Sequence, residues 1–205
     1  MIKLSCKSKG LGHRYQNKFL FRNMDFTAES GKVTFITGSN GSGKSTLLKL
    51  LTGALQPLEG AIQHFEEDKE ISAELVWNKI GFVAPYQELP EDFSMEELIG
   101  FQKSLNENSS AAGYYKDLVA LFGMEDDYRK LIRYFSTGMK QKAKFILNLG
   151  DDRPFWFLDE PTSNLDLVSS LRFWDFINAM KANKVIIVAS NDPAEFRHSE
   201  QTIQL

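Results

Sequence analysis

Three short stretches of this chain carry residue types whose spacing could do phosphate chemistry. Gly38–Ser45 reads GSNGSGKS and fits the pattern G-x-x-x-x-G-K-[ST]. Glycines let a backbone wrap closely around phosphate oxygens, so Gly38, Ser39, Asn40, Gly41, Ser42 and Gly43 form the expected cradle, continued by Thr46. Lys44 can reach β- and γ-phosphates, and the Ser45 hydroxyl can ligate Mg²⁺. FWFLDE then sets Asp159 and Glu160 behind four apolar residues. A carboxylate at the end of a buried strand can hold Mg²⁺ through water, the expected role of Asp159. Glu160 beside it can polarise an attacking water as a general base. A kinase acting on a small molecule needs the metal carboxylate alone, whereas the adjacent glutamate suits hydrolysis, so the pair points to an ATPase. The third stretch, YFSTGMKQKAKF from Tyr134 to Phe145, opens with Ser136, Thr137 and Gly138 at an expected helix start. Unpaired N–H groups and the positive dipole end there favour an anion.

These residues need a scaffold of strands and helices. Lys32–Thr37 reads as a strand, followed by the glycine loop and a helix carrying Leu47, Leu48, Leu50 and Leu51. The rest of the first third reads as short strands with turns, and Ile80–Ala84 as another strand. From Ser94 the period changes: Ser94 and Glu97 form a capping box ahead of Leu98, Ile99, Phe101 and Leu105. Asn106–Gly113 reads as a loop, Tyr114–Phe122 as a helix, and Gly138–Leu149 as a helix stopped by Gly150. Residues from about 90 to 150 thus read as an all-helical subdomain. Phe155–Leu158 and Val185–Ala189 read as buried strands, joined by a helix with the stripe Val168, Leu171, Trp174, Ile177 and Met180. Continuous apolar strands alternating with amphipathic helices imply a parallel sheet covered on both faces.

Composition sets the outer limits. With 205 residues, 42% hydrophobic, 12% aromatic and 25% charged, the chain has the make-up of an ordinary soluble protein of one domain, or one domain with a subdomain. A net charge of −3 weighs against a nucleic-acid partner. The lone Cys6 cannot form an internal disulfide, which suits an intracellular setting. MIKLSCKSKG has no apolar core of a signal peptide, and the runs FWFL and VIIVA fall far short of the ~18–20 residues that span a bilayer. A membrane role would need a partner chain.

Taken in order, GSNGSGKST, FSTGMKQK and FWFLDEPTSNLD resemble the ATP-binding subunit of an ABC transporter over nearly the whole chain. The resemblance implies an α/β fold: a RecA-like P-loop NTPase core with a mostly parallel sheet, at about 1–88 and 151–205. It also implies an N-terminal antiparallel β part and an inserted α-helical subdomain at about 90–150. FSTGM falls where the family has its signature, usually Leu-Ser-Gly-Gly-Gln. Two such domains sandwich ATP head to tail, so Ser136 and Gly138 would contact the ATP of a partner, while Thr137, Met139 and Lys140 depart from the usual residues. Asp166, in SNLD, matches the D-loop of the dimer interface. Tyr15 stands where the family places an aromatic against adenine, unless it is an ordinary strand tyrosine. ATP and Mg²⁺ follow as cofactors. The implied partners are a second ABC ATP-binding domain, as homodimer or pseudo-dimer, and transmembrane permease subunits that hold the chain on the cytoplasmic face of the cell membrane. No nucleic acid is expected. The compact length is similar to that of the short haem-exporter subunits of cytochrome c maturation.

Two positions bend the family pattern. Its Q-loop glutamine, which senses the γ-phosphate and joins Ser45 and Asp159 at the metal, corresponds to Gln87 in VAPYQEL, or else Pro85 or Tyr86 takes the aligned place. Gln87–Phe93 is then the expected contact with a permease. In VIIVASND, Asn191 replaces the family's histidine. Its amide can donate to a phosphate but carries no proton near neutral pH. It either keeps that contact while slowing hydrolysis, or caps a helix beginning at Asp192-Pro193-Ala194. His13, His64 and His198 read as surface or turn residues, and Lys142 and Lys144 as a solvated helix face. Lys140 either reaches phosphate or favours ATP by charge alone. Two alternatives remain: a regulatory module that hydrolyses poorly, and a soluble ABC protein of ribosomes or DNA. The latter usually carries two cassettes or a long coiled-coil insertion, which this sequence lacks.

Overall fold

The computed structural model describes residues 2–105 and 113–205, so the expected Asn106–Gly113 loop lies outside the described residues except for Gly113. They divide into two compact units, Met1–Phe82 with Arg153–Pro161 and Ile177–Leu205, and Val83–Asp152 with Thr162–Phe176.

In the first unit β1 (Leu4–Tyr15) and β2 (Lys18–Glu29) form a hairpin of two 12-residue strands. The sequence suggests shorter strands because its alternation is broken. The β1–β2 register shifts between Ser8 and Leu11 and again before His13, and each bulge moves side chains to the other face. With β4 (Glu59–Glu66) and β5 (Lys69–Ile71), these strands make an antiparallel sheet ordered β2-β1-β4-β5.

The second sheet is ordered β6-β7-β8-β3-β9, from β3 (Val33–Thr37), β6 (Ile80–Val83), β7 (Phe155–Asp159), β8 (Val185–Ala189) and β9 (Gln201–Gln204). β3 runs parallel to β8 and β9, and β7 parallel to β8. Every residue of β7 and β8 is buried, as a sheet covered on both faces requires. Helix α1 (Lys44–Leu51) buries Leu47, Leu48, Leu50 and Leu51 in a core shared with Phe155, Phe157 and Ile187. His64 belongs to this core rather than to a surface or turn. Its ring meets Phe155 edge-on at 5.0 Å, and burial pushes the imidazole down to about 4. α2 (Ala73–Val76) is a single short turn of helix before β6.

The second unit holds α3 (Met95–Leu105), α4 (Tyr115–Leu121), α5 (Thr137–Leu149) and most of α6 (Leu167–Met180). The capping box forms as its residues suggest: Ser94 N and Oγ donate to Glu97 Oε2 at 2.7 and 2.8 Å, and Glu97 N donates to Ser94 Oγ at 3.3 Å. Phe145 of α5 stacks on Phe122 and meets Phe173 of α6 at 4.4 Å. The buried face of α6 is therefore Ser169, Phe173, Trp174 and Ile177, whereas Val168 and Leu171 of the expected stripe are exposed. Gly150 has a right-handed backbone, not the left-handed turn of a glycine stop. Its missing side chain serves packing, since a Cβ would lie 2.3 Å from the Tyr115 ring.

Candidate functional site

β3 delivers the glycine loop into α1, and the loop's shape depends on its glycines. Gly41 (φ +81°) and Gly43 (φ +106°) are left-handed, and a Cβ on Gly38 would sit 2.6 Å from Ser42 Oγ and 2.9 Å from Leu205 O. α1 has no side-chain cap and no acid in its first turn, leaving its N–H groups and positive dipole end for an anion. Lys44 is 6% exposed and donates through Nζ to Gly38 O (2.9 Å) and Ser39 O (3.2 Å), so its charge stays at the loop. One cleft of about 440 Å³ collects Asn40, Gly41, Gly43, Lys44, Ser45 and Thr46 with Tyr15, Glu160 and Asn191, and Leu20 completes its lining. Tyr15 is 70% exposed there and presents a free aromatic face.

β7 ends at Asp159, which is 2% exposed. Glu160 then turns left-handed (φ +43°), an unusual conformation for glutamate that is fixed from two sides. Its N–H donates to Ala189 O at 2.8 Å, and its carboxylate accepts from Asn191 N at 3.1 Å and Ser190 Oγ at 3.5 Å. Burial, reinforced by Glu195 and Asp159, raises the Glu160 carboxyl above its ordinary range, while Lys44 and the Asn191 N–H oppose the shift. The Asn191 side chain donates to Asn40 Oδ1 at 2.5 Å. No helix starts at Asp192. The segment makes a turn in which Asp192 Oδ1 accepts from Ala194 N, so Asn191 is not a helix cap.

The residues present suit a nucleotide phosphate, given the glycine cradle, the uncapped α1 and the Lys44 ammonium. They also suit Mg²⁺, because a serine hydroxyl and a buried carboxylate are hard oxygen donors. Among the described residues no group of three or more His, Cys, Asp or Glu gathers to hold a metal, so the cation would complete its shell with phosphate oxygens and water.

In the second unit Ser136 caps α5, its Oγ accepting from Met139 N at 3.2 Å, which leaves its hydroxyl hydrogen free to donate. A Cβ on Gly138 would come within 2.9 Å of Asn164 O, so glycine lets the 164–166 loop approach α5. Asp166 caps α6, accepting from Ser169 N and Oγ at 2.8 Å each. Lys142 Nζ lies 3.6 Å from Asp166, and Lys140 pairs with Glu91 at 2.5 Å. Lys144 is buried, its Nζ donating to carbonyls of Ala84 and Pro85. Neither Lys142 nor Lys144 is thus a plain solvated lysine. Gln87 closes the turn after β6, with Oε1 accepting from Ala84 N at 2.9 Å.

Residues 21–163 match the family model described as ABC transporter. The chain belongs to the ABC transporter family. Among curated relatives, a cytochrome c biogenesis ATP-binding export protein of Rhizobium johnstonii is 27% identical over 93% of this chain and 90% of its own length. Its Brucella abortus counterpart is 31% identical over 93% of this chain and 86% of its own. A fluoroquinolones export ATP-binding protein of Mycobacterium tuberculosis is 32% identical, over 91% of this chain and 62% of its own length. In fold, a solved ATP-binding subunit of an ABC transporter superposes with TM-score 0.85 at 23% identity, covering 98% of this chain and 85% of that one. The fold is that of an ABC ATP-binding subunit, a P-loop core with one antiparallel and one mostly parallel sheet.

For this ABC subunit, nine of the residues singled out in the sequence meet in one cleft, while Ser136, Gly138, Asp166 and Gln87 stand in the other unit. Leu20 and Glu195 escaped the sequence reading. Leu20 sits in an ordinary apolar strand run, and nothing local sets Glu195 apart from a surface acid, although it is 3% exposed.

Proposed function

We propose that this ABC ATP-binding subunit binds Mg-ATP in the 440 Å³ cleft and hydrolyses it. The observation that carries the reading is the fixed, left-handed Glu160 held by Ala189 and Asn191 in a cleft shared with Lys44 and Ser45. The glycine loop, the first turn of α1 and Lys44 bind the phosphates, and Tyr15 offers its ring to the adenine. Ser45 and Asp159 would hold Mg²⁺, whose chemistry is to neutralise phosphate oxygens. Glu160 removes a proton from water as the water oxygen bonds to the γ-phosphorus and the bond to the ADP oxygen breaks. A carboxyl raised toward neutrality takes that proton more readily. Asn191 donates to the γ-phosphate side of the cleft, and Gln87 is assigned to sensing the nucleotide and its metal.

Two copies, or this chain with a second ABC ATP-binding domain, then close head to tail. Ser136, Gly138 and Asp166 of each face the nucleotide of the other. No described helix is long and apolar enough to cross a membrane; separate permease subunits at the cytoplasmic membrane face are assigned as the chain's partners. Exposed Tyr86 and Phe93, in and beside Gln87–Phe93, give such a permease an apolar foothold. The names of the relatives speak of export, and we assign that direction here.

Glu160→Gln tests the reading. The variant should bind ATP as the wild type does, lose hydrolysis by about 10²-fold or more, and accumulate as an ATP-bound dimer in light scattering. Undiminished hydrolysis would remove Glu160 from the chemistry. The neutral Asn191–Asn40 pair also supports a second reading, a module that binds ATP but turns it over slowly. Tight ATP binding with negligible steady-state hydrolysis by the wild type would select it.

A further inference from the structure

Lys144 stands out because a buried ammonium has found no carboxylate. It is 7% exposed, and among the described residues it forms no ion pair with an acid, whereas Lys140 lies against Glu91 and Lys142 near Asp166. Nζ donates to Pro85 O at 2.7 Å and Ala84 O at 3.3 Å. Taking a cation out of water is costly unless its protons are well used, and an apolar side chain would fill the space at lower cost. Burial, with a smaller contribution from Lys140, lowers its pKa and reflects that cost.

The two carbonyls belong to the exit of β6. There Ala84 N donates to Gln87 Oε1 at 2.9 Å, and Gln87 N donates to Ala84 O at 3.2 Å. Gln87 thus closes its own turn, and Lys144 ties that turn to α5. It sits on α5 eight residues beyond Ser136, about 12 Å along a continuous helix whose N-terminus carries the signature segment.

We propose that Lys144 is a positioning residue that clamps the Ala84–Gln87 turn to α5, so that Gln87 and the Ser136 end of the helix move as one body. The inference rests on the roles given above to Gln87 and Ser136. An ammonium suits the task because its three donors hold two adjacent carbonyls at once, and a change in the conformation of the turn must either carry α5 with it or break those bonds.

The test compares the full-length wild type, Lys144→Met and Lys144→Arg. Lys144→Met keeps the length and apolar stem while deleting the donors. Amide exchange at Ala84 and Gln87 should accelerate by about tenfold or more, with β3 and β8 amides unchanged as evidence of an intact fold. ATP turnover should fall about tenfold while KM stays within about twofold, because the phosphate loop is untouched. Lys144→Arg, which retains donors, should recover most of both. Wild-type exchange at Ala84 and Gln87 in Lys144→Met, or unchanged turnover, would overturn the clamp even if the melting temperature fell. If the wild type does not hydrolyse ATP, the functional reading fails separately, and the exchange data alone decide the clamp.

Discussion

Asn191 touches both sides of the cleft at once, its backbone N–H on Glu160 and its side-chain amide on Asn40. A neutral amide gives a weaker bond to a developing phosphate charge than a protonated donor does. Asn191→His should therefore raise turnover severalfold at saturating Mg-ATP, and the gain should grow as pH falls toward the imidazole range, about 6.5. A turnover that stays level or drops at every pH would show that the amide does not limit the reaction. The places of Asp159, Glu160 and Lys44 at a strand end and a helix start were legible because their motifs impose both residue type and order. Lys144 was not: Lys140, Lys142 and Lys144 look alike in sequence, yet one pairs with Glu91, one lies near Asp166 and one is buried on backbone carbonyls.

Elements were legible where their signals are local. The Ser94–Glu97 box and the strand–loop–helix around Lys44 depend on neighbours within a few residues, and both formed as their sequence implies. β1 and β2 exceeded expectation because their bulges interrupt the alternation, and α6 buries Phe173 rather than Val168 because Phe145 comes from a distant helix. β4 supplies a measurable consequence through His64. With a folded pKa near 4 and an unfolded value of 6.5, the unfolded chain takes up a proton in this window that the folded chain refuses. The contribution is fully present above pH 6.5 and is lost as pH falls toward 4. Between pH 7 and pH 5 it should cost about 2 kcal/mol, read from urea unfolding midpoints. His64→Phe should flatten that pH dependence; an unchanged slope would mean that other groups set it.

For the whole molecule the decisive question is whose phosphate Ser136 meets. Its hydroxyl caps α5 in the second unit, while the glycine loop lies in the first, and the proposed head-to-tail pair brings one copy's cap to the other's nucleotide. Ser136→Arg should leave ATP affinity of the monomer within about twofold and abolish both dimerisation and hydrolysis. Titration with a fluorescent ATP analogue and light scattering separate the two effects. Loss of nucleotide binding by the monomer would place Ser136 in its own chain's site.

The sequence by itself determined the glycine loop, the acidic strand end and the membership of a family, because each is a contiguous pattern in which local geometry dictates residue type. Only the tertiary structure decided that Glu160 is held left-handed by Ala189 and Asn191, that His64 is a core residue, and that Lys144 ties α5 to the Gln87 turn. Those facts depend on burial and on partners far away in sequence, 29 residues for Glu160 and Ala189, 60 for Lys144 and Ala84 and 91 for His64 and Phe155. The energy of a buried charge is set by what surrounds it in space, and a linear pattern of lysines and acids carries no record of that.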